Sequence, residues 1–418
     1  MRHANLPAGF FSQNRARLRQ ALPPGSLACL WAGRPMLRNQ DQQYPFRVNS
    51  NFFYLTGVAE PGSVLLLKPA SAGDEGELLF LPPLDEVKEK WEGPMLKPAE
   101  AKAIGGVKKT ADLPSFEGTL FAWQRHCDAL FAEVNQVFPQ QALSEEHLFL
   151  QQLALRLPGL QVKKLEPLLL PLRAQKDPCE QEAIKNALGV TRAALSRALQ
   201  VIKPGVREFQ VEAELLREYL WQGCDRLGFD SIVAAGANAC VLHYTANKAA
   251  LQAGDLVLID NGGELGMYTG DITRVFPVDR RFTPAQATAY QAVLEVNQEM
   301  CAWVKAGQTW AEIGEKAQAL QKRIYAQAGL LADQDQLMQV ALHRIGHSLG
   351  LDVHDPQKPD QPLPPGAVIT IEPGVYLKDR GIGIRIEDNL VLTENGAEVL
   401  SDGIPKEIPA ILQWMEEA

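Results

Sequence analysis

The tightest constraint on this chain is a set of acidic residues that border short, strongly apolar runs in its last third. Asp260 ends Leu256-Val257-Leu258-Ile259, and Asp271 opens Asp271-Ile272-Thr273-Arg274-Val275-Phe276. Glu372 closes Val368-Ile369-Thr370-Ile371 ahead of Pro373-Gly374, and Glu387 follows Ile384-Arg385-Ile386. Short continuous apolar runs of this kind read as buried strands. A carboxylate at the end of a buried strand needs a partner, because an unpaired buried charge is very costly. Taken singly, each acid reads as a turn or cap residue, and Asp260-Asn261-Gly262-Gly263 reads as a hairpin turn. Their gathering in one region with His347, beside three further histidines, points instead to a site. Four acids and one imidazole can hold two divalent ions if two carboxylates bridge, which predicts a hydrolase with a paired metal centre.

The spacing supports convergence. Asp260 and Asp271 are separated by Gly262-Gly263 and Gly266, so strand, Gly-rich turn and returning strand would carry both carboxylates to one end of a hairpin-like pair. Glu372 and Glu387 flank a loop containing Gly381 and Gly383 in the same way. Two such hairpins facing each other supply four carboxylates, and His347 adds a neutral nitrogen. This oxygen-rich set suits manganese, cobalt or zinc better than copper.

His343 and His347 have the i,i+4 spacing of the helical pair in zinc proteases but lack the adjacent glutamate, and Gly346 and Gly350 favour a turn or strand. His347 is therefore read as the ligand. His343 supports the ligands or contacts substrate, with a satisfied core imidazole as the alternative. His354 donates a proton or orients substrate, and His243 holds the reacting carbonyl or its oxyanion, with an ordinary histidine as the minority reading for each. Arg385, two positions before Glu387, shares its strand face and can pair with a carboxylate of the cluster. Asp355 orients a histidine or caps a turn. His3 and His126 have no such company. The chain has neither a Gly-rich phosphate loop nor a G-x-S-x-G elbow, which excludes kinase, nicotinamide and serine-hydrolase chemistry.

A length of 418 residues predicts two domains. A net charge of -9 argues against nucleic acid as a partner. Six cysteines without a CxxC pair read as reduced thiols of a cytoplasmic protein. No apolar run has signal length or approaches the roughly 18 residues of a membrane helix, so no membrane partner is expected. In the first half, β-like runs at 26–31, 63–68 and 78–81 alternate with helical stretches, an α/β pattern, and 141–157 has amphipathic spacing. Phe52, Phe53 and Tyr54 read as core or interface aromatics. The boundary falls after the Leu/Pro-rich 165–172, giving residues 1–173 for packing, assembly and cleft shaping and 174–418 for chemistry. The second half places helices near 178–202, 207–223, 283–305 and 310–326 against antiparallel strands, an α+β class.

The segments 256–260, 271–274, 343–354, 370–374 and 384–388, together with 44–50 and 54–57 in the first half, resemble the signature segments of the pita-bread metallopeptidases, in the branch of the bacterial Xaa-Pro aminopeptidases (aminopeptidase P). The resemblance implies a C-terminal pita-bread (creatinase/aminopeptidase) domain behind a smaller creatinase-like α/β domain. It implies a cytoplasmic enzyme that removes an N-terminal residue followed by proline. Asp271 and Glu387 would bridge two divalent ions, usually Mn²⁺, with Zn²⁺ or Co²⁺ as alternatives. Asp260 would complete one coordination sphere, and His347 with Glu372 the other. His243, His343 and His354 would line the cleft, proline-containing peptides would be the substrates, and the assembly would be a homodimer or homotetramer. The chain departs from the family pattern at Arg344, at Phe229 (commonly a tyrosine), in the arginine-free 358–362, and in a shorter loop between Glu372 and Glu387. A prolidase restricted to Xaa-Pro dipeptides shares the metal set and is the first alternative. Methionine aminopeptidase usually lacks the large first domain, and a metal-free binding protein would have lost ligands that this chain keeps.

Overall fold

The computed structural model describes residues 6–134 and 144–418, and the chain forms two compact units, Asn5–Arg173 and Ala174–Ala418. In the first, strands β1 (Ser26–Trp31), β2 (Val64–Leu67), β3 (Glu77–Leu81), β4 (Thr110–Asp112), β5 (Ala129–Ala132) and β6 (Gln161–Lys164) form one sheet in the order β4-β3-β2-β1-β5-β6. The central β1-β2-β3 pairings are antiparallel, while β4, β5 and β6 join in parallel, so the sheet is mixed. Helix α1 (Ala8–Ala21) packs on α2 (Ser50–Thr56) through edge-to-face Phe10–Tyr54 and Phe11–Phe53 contacts, each at 5.7 Å. Phe52, Phe53 and Tyr54 are buried core residues. The helix expected at 141–157 spans Glu145–Arg156 (α3), capped by Ser144, with 141–143 outside the described residues. The Leu/Pro-rich stretch is itself helical, Glu166–Ala174 (α4).

In the second unit, α5 (Pro178–Leu199), α6 (Glu208–Trp221), α7 (Pro284–Trp303) and α8 (Trp310–Gln327) lie where the capping signals predict. Asp177/Glu180, Thr283/Gln286 and Thr309/Glu312 each close a reciprocal capping box, which satisfies first-turn N–H groups. Strand β7 (Ile232–Ala235) pairs with β8 (Leu256–Asn261), which continues past a bend into β9 (Gly263–Leu265) and returns through β10 (Tyr268–Thr269) and β11 (Ile272–Pro277). A second long hairpin is built from β12 (Val368–Ile371), β13 (Gly374–Leu377), β14 (Ile382–Arg385) and β15 (Asp388–Thr393).

Both hairpins break where the acids sit. The first ladder runs from Leu256↔Pro277 to Asn261↔Ile272 and resumes at Glu264↔Thr269. In between, the strands approach so closely that a Cβ on Gly262 would collide with the Gly270 carbonyl oxygen. Asp260 and Asn261 are thus strand residues rather than the turn their composition suggests. The chain reverses instead at Gly266 and Met267, whose φ values of 59° and 76° close the tip. The second ladder breaks at Glu372-Pro373 opposite Ile386-Glu387, since Pro373 has no N–H to continue it. Asn297 of α7 donates to the carbonyls of Ile371 and Ile386, at 3.2 and 3.3 Å, which the break would otherwise leave without partners.

The two hairpins are joined at the same level. Glu387 N–H donates to the Thr273 carbonyl at 3.2 Å, and the buried Arg274 reaches the Glu387 carbonyl at 2.5 Å and Asp388 at 2.9 Å. Asn389 and the Asp271 backbone exchange two hydrogen bonds. Behind them, Val293, Ile324, Leu258, Ile369, Ile384 and Leu390 share one apolar core with α7 and α8.

Candidate functional site

Strand parity places the first two acids. Asp260 lies opposite Thr273, and residues directly opposite in a ladder share a face. Asp271, two positions before Thr273, is on that face too. The break in the second hairpin turns Glu372 and Glu387 toward it. One cavity of about 590 Å³ is bordered by Asp260, Asp271, Glu372 and Glu387, by His243, His343, His347 and His354, and by Arg385. Every site residue read from the sequence therefore lines a single cleft, although they come from a β-hairpin, a loop, a second hairpin and the segment after β7.

His347 sits in a non-helical loop docked on β12 through a Ser348↔Ile369 bridge. Its Nδ1 is 3.1 Å from the Ser348 carbonyl, which can only accept, so Nδ1 carries a proton and Nε2 is the nitrogen that faces the acids. That Nε2 lies 3.3 Å from Asp271 and 3.5 Å from Glu372. Ligand atoms of Asp271, His347 and Glu387 fall within 4.8 Å of one another. His354 stacks edge-to-face on His347 at 4.4 Å. His354 and His243 are both exposed on the cavity wall.

Arg385 is buried and fans out to three partners: Asp260 Oδ2 at 2.6 Å, Tyr376 Oη at 2.9 Å and Thr273 Oγ1 at 3.0 Å. Thr273 in turn donates to Glu387 at 2.8 Å. The expectation that Arg385 pairs within the carboxylate cluster holds, and the partner is Asp260. Tyr376 passes the contact on, donating to His343 Nε2 at 2.7 Å, while His343 Nδ1 donates to the Arg344 carbonyl at 2.7 Å. Both nitrogens of His343 are thus engaged. Burial, with Arg385 nearby, pushes its imidazole down to about 4, so it is neutral at ordinary pH.

The arrangement fits divalent cations. Asp260 Oδ1 is buried with no hydrogen-bond donor although Oδ2 is held. Burial, then the neighbouring carboxylates, push Asp271 and Glu387 well above the usual carboxylate range. Acids this crowded hold protons unless a cation neutralises them, and Nε2 of His347 faces the same space.

Thr273, Thr370 and Tyr376 were not singled out in the sequence. Thr370 accepts from His347 N–H at 3.0 Å and donates to Glu372 at 3.3 Å. A signal for both threonines was present: each stands two residues from an acid, in Asp271-Ile272-Thr273 and Thr370-Ile371-Glu372, and so on the same strand face. Tyr376 carried none, because its role depends on two residues that only the fold brings beside it. Asp355 caps a turn by accepting from Asp352 N–H at 3.3 Å, and it pairs with the buried Lys176 at 2.9 Å. Phe229 borders the cleft without a hydroxyl. His126 is not among the lining residues, and His3 lies outside the described residues. The six cysteines are thiols outside any disulfide.

Residues 182–394 match the family described as Metallopeptidase family M24, and residues 11–131 match the aminopeptidase P N-terminal domain. The chain is 34% identical to a Xaa-Pro aminopeptidase of Haemophilus influenzae, covering 99% of this chain and 98% of that protein. Among solved structures, an aminopeptidase PepP of Pseudomonas aeruginosa superposes with a TM-score of 0.91 at 32% identity, covering 99% of both chains. Aminopeptidase P of E. coli with the inhibitor Pro-Leu superposes with a TM-score of 0.88 at 31% identity, again over 99% of each.

Proposed function

This chain belongs to metallopeptidase family M24, and from that premise we propose that it is a two-metal aminopeptidase releasing the N-terminal residue of peptides with proline in second position. The observation that carries the reading is the convergence of four carboxylates, the inward-facing imidazole of His347 and two exposed histidines on one cleft. Asp260, Asp271, His347, Glu372 and Glu387 are the residues that would hold the ions. The orphaned oxygen of Asp260 and the inward-facing Nε2 of His347 support this assignment. Two ions held there supply a Lewis acid for the scissile carbonyl and a water of lowered pKa.

The chain's own residues do the rest. Glu372, steadied by Thr370, takes the proton of the attacking water and carries it to the leaving nitrogen. Arg385 fixes Asp260. His343, a neutral imidazole engaged on both ring nitrogens, borders the cleft 3.7 Å from Glu372 and has no N–H left to donate to substrate. His243 and His354 are left to meet the substrate carbonyl and its oxyanion. An Xaa–Pro bond has no N–H to recognise, so selection falls to ring shape against apolar surface. Phe229, Ile232, Leu242 and Val353 provide that surface in the same cleft.

Four carboxylates and one imidazole favour a hard or borderline ion, and we assign Mn²⁺, with Zn²⁺ or Co²⁺ able to substitute. The family resemblance extends the proposal to a cytoplasmic homodimer or homotetramer, with residues 1–173 serving assembly and cleft shaping. No helix among the described residues is long and apolar enough to cross a membrane.

The test is cleavage of Xaa-Pro, Xaa-Pro-Yaa and Xaa-Ala-Yaa by the Mn²⁺-loaded protein. Preferential release of Xaa from Xaa-Pro-Yaa is expected. Hydrolysis confined to the dipeptide would instead make it a prolidase, and inactivity on all three with metal bound would mark a binding protein.

A further inference from the structure

A second cavity, of about 410 Å³, adjoins the reaction cleft and shares His343, Arg344, Gly346 and Gln357 with it. Its size lies within the range of ligand-binding clefts. Its far wall differs in character: Trp310, Glu315 and Asp360 border this cavity and not the first. The indole N–H of Trp310 is buried and has no acceptor among the described residues.

Which end of a peptide would enter follows from the proton path. The group that delivers a proton to the leaving nitrogen must stand on the leaving-group side of the scissile bond. Glu372 has that role in the reading above, His343 lies against Glu372 at 3.7 Å, and the second cavity is bordered by that same His343 and by the rest of the 343–346 segment. Arg344 stands at the threshold, exposed, and among the described residues no group bonds its guanidinium. A planar guanidinium is the side chain best shaped to hold a carboxylate by two parallel hydrogen bonds. An extended chain advances about 3.3–3.6 Å per residue, so the carboxylate of the residue after proline falls roughly two such steps from the scissile bond.

We propose that the second cavity receives the peptide downstream of proline, and that Arg344 pairs there with the free carboxylate of a short substrate. This rests on the aminopeptidase reading and adds a length preference to it. Tripeptides place their carboxylate at Arg344. Longer peptides carry theirs on toward Glu315 and Asp360, where like charge disfavours it, so they gain nothing from this contact. Arg344 is then a specificity-determining residue, separate from the groups that break the bond.

The test compares kcat/KM for Xaa-Pro-Yaa as the free acid and as its C-terminal amide, with the Mn²⁺-loaded wild type, Arg344→Ala and Arg344→Lys. The wild type should favour the acid about tenfold, equivalent to about 1.4 kcal/mol. Arg344→Ala should lose that preference through a raised KM for the acid, and Arg344→Lys should keep part of it. Equal wild-type rates on acid and amide would overturn the proposal, as would an Arg344→Ala defect of the same size on both. A wild type that cleaves neither form overturns the aminopeptidase reading itself, an outcome separate from loss of acid preference.

Discussion

At the scale of single residues, Arg385 shows how one side chain can order a cluster of carboxylates and the groups beside them. Its three hydrogen bonds orient Asp260, Thr273 and Tyr376, and Thr273 and Tyr376 pass the orientation to Glu387 and His343. Lysine would keep the charge and lose the fork. Arg385→Lys should therefore lower metal affinity and kcat/KM by roughly 10- to 100-fold, as removal of ligand-supporting groups does. Metal titration followed by calorimetry reads the first and peptide assays the second; an unchanged affinity would show that Asp260 holds its place unaided. Arg385 was legible in the sequence because strand alternation put it on the face of Glu387. Its actual partner was not, since the ladder stops at Arg385 and the break at 386–387 interrupts the parity the argument assumed.

At the scale of elements, the site depends on a loop laid closely on a strand. A Cβ on Gly346 would collide with the Thr370 carbonyl oxygen and press on Thr370 Oγ1, the atom that holds His347 N–H. Gly346→Ala should destabilise the protein by about 1–3 kcal/mol, as overpacking does, and should also weaken metal binding. Thermal unfolding with and without metal checks both, and a normal Tm with full activity would mean that the loop can withdraw at no cost. The start of α5 carries a pH-dependent element. Glu180 closes its capping box and accepts from Tyr268 at 2.9 Å, and burial, opposed by those bonds and by Lys176, raises its carboxyl from 4.5 to about 7. A raised folded-state pKa means the folded protein holds the proton more tightly than the unfolded chain. Its contribution is fully present below about 4.5 and is lost as pH rises through about 7. Denaturant midpoints across pH 4.5–7.5 should decline more steeply for the wild type than for Glu180→Gln. Equal slopes would assign the titration to another group.

At the scale of the whole molecule, the candidate ligands span residues 260 to 387 and meet only when both hairpins are folded and joined. Metal should therefore bind the native state and hardly the unfolded one, so its removal costs both stability and activity. At a free-ion concentration a hundred times Kd, linkage predicts about 2.7 kcal/mol. Dialysis against a chelator should abolish peptide cleavage and lower Tm, and Mn²⁺ should restore both. A Tm indifferent to chelation would mean that the carboxylate cluster is satisfied by protons and Arg385 alone. The amino-acid sequence by itself determined the five candidate ligands, the helix starts and the strand runs, because buried charge, capping chemistry and hydrophobic period act over a few neighbouring residues. It also carried the family, since the segments that resemble it are those same runs. Only the tertiary structure decided that Asp260 lies in a strand, that Arg385 serves Asp260, that Tyr376 ties His343 to Arg385, and that Lys176 neutralises Asp355. Each of these is a contact between residues distant in the chain, fixed by where two hairpins break and how they abut, and no local pattern encodes that geometry.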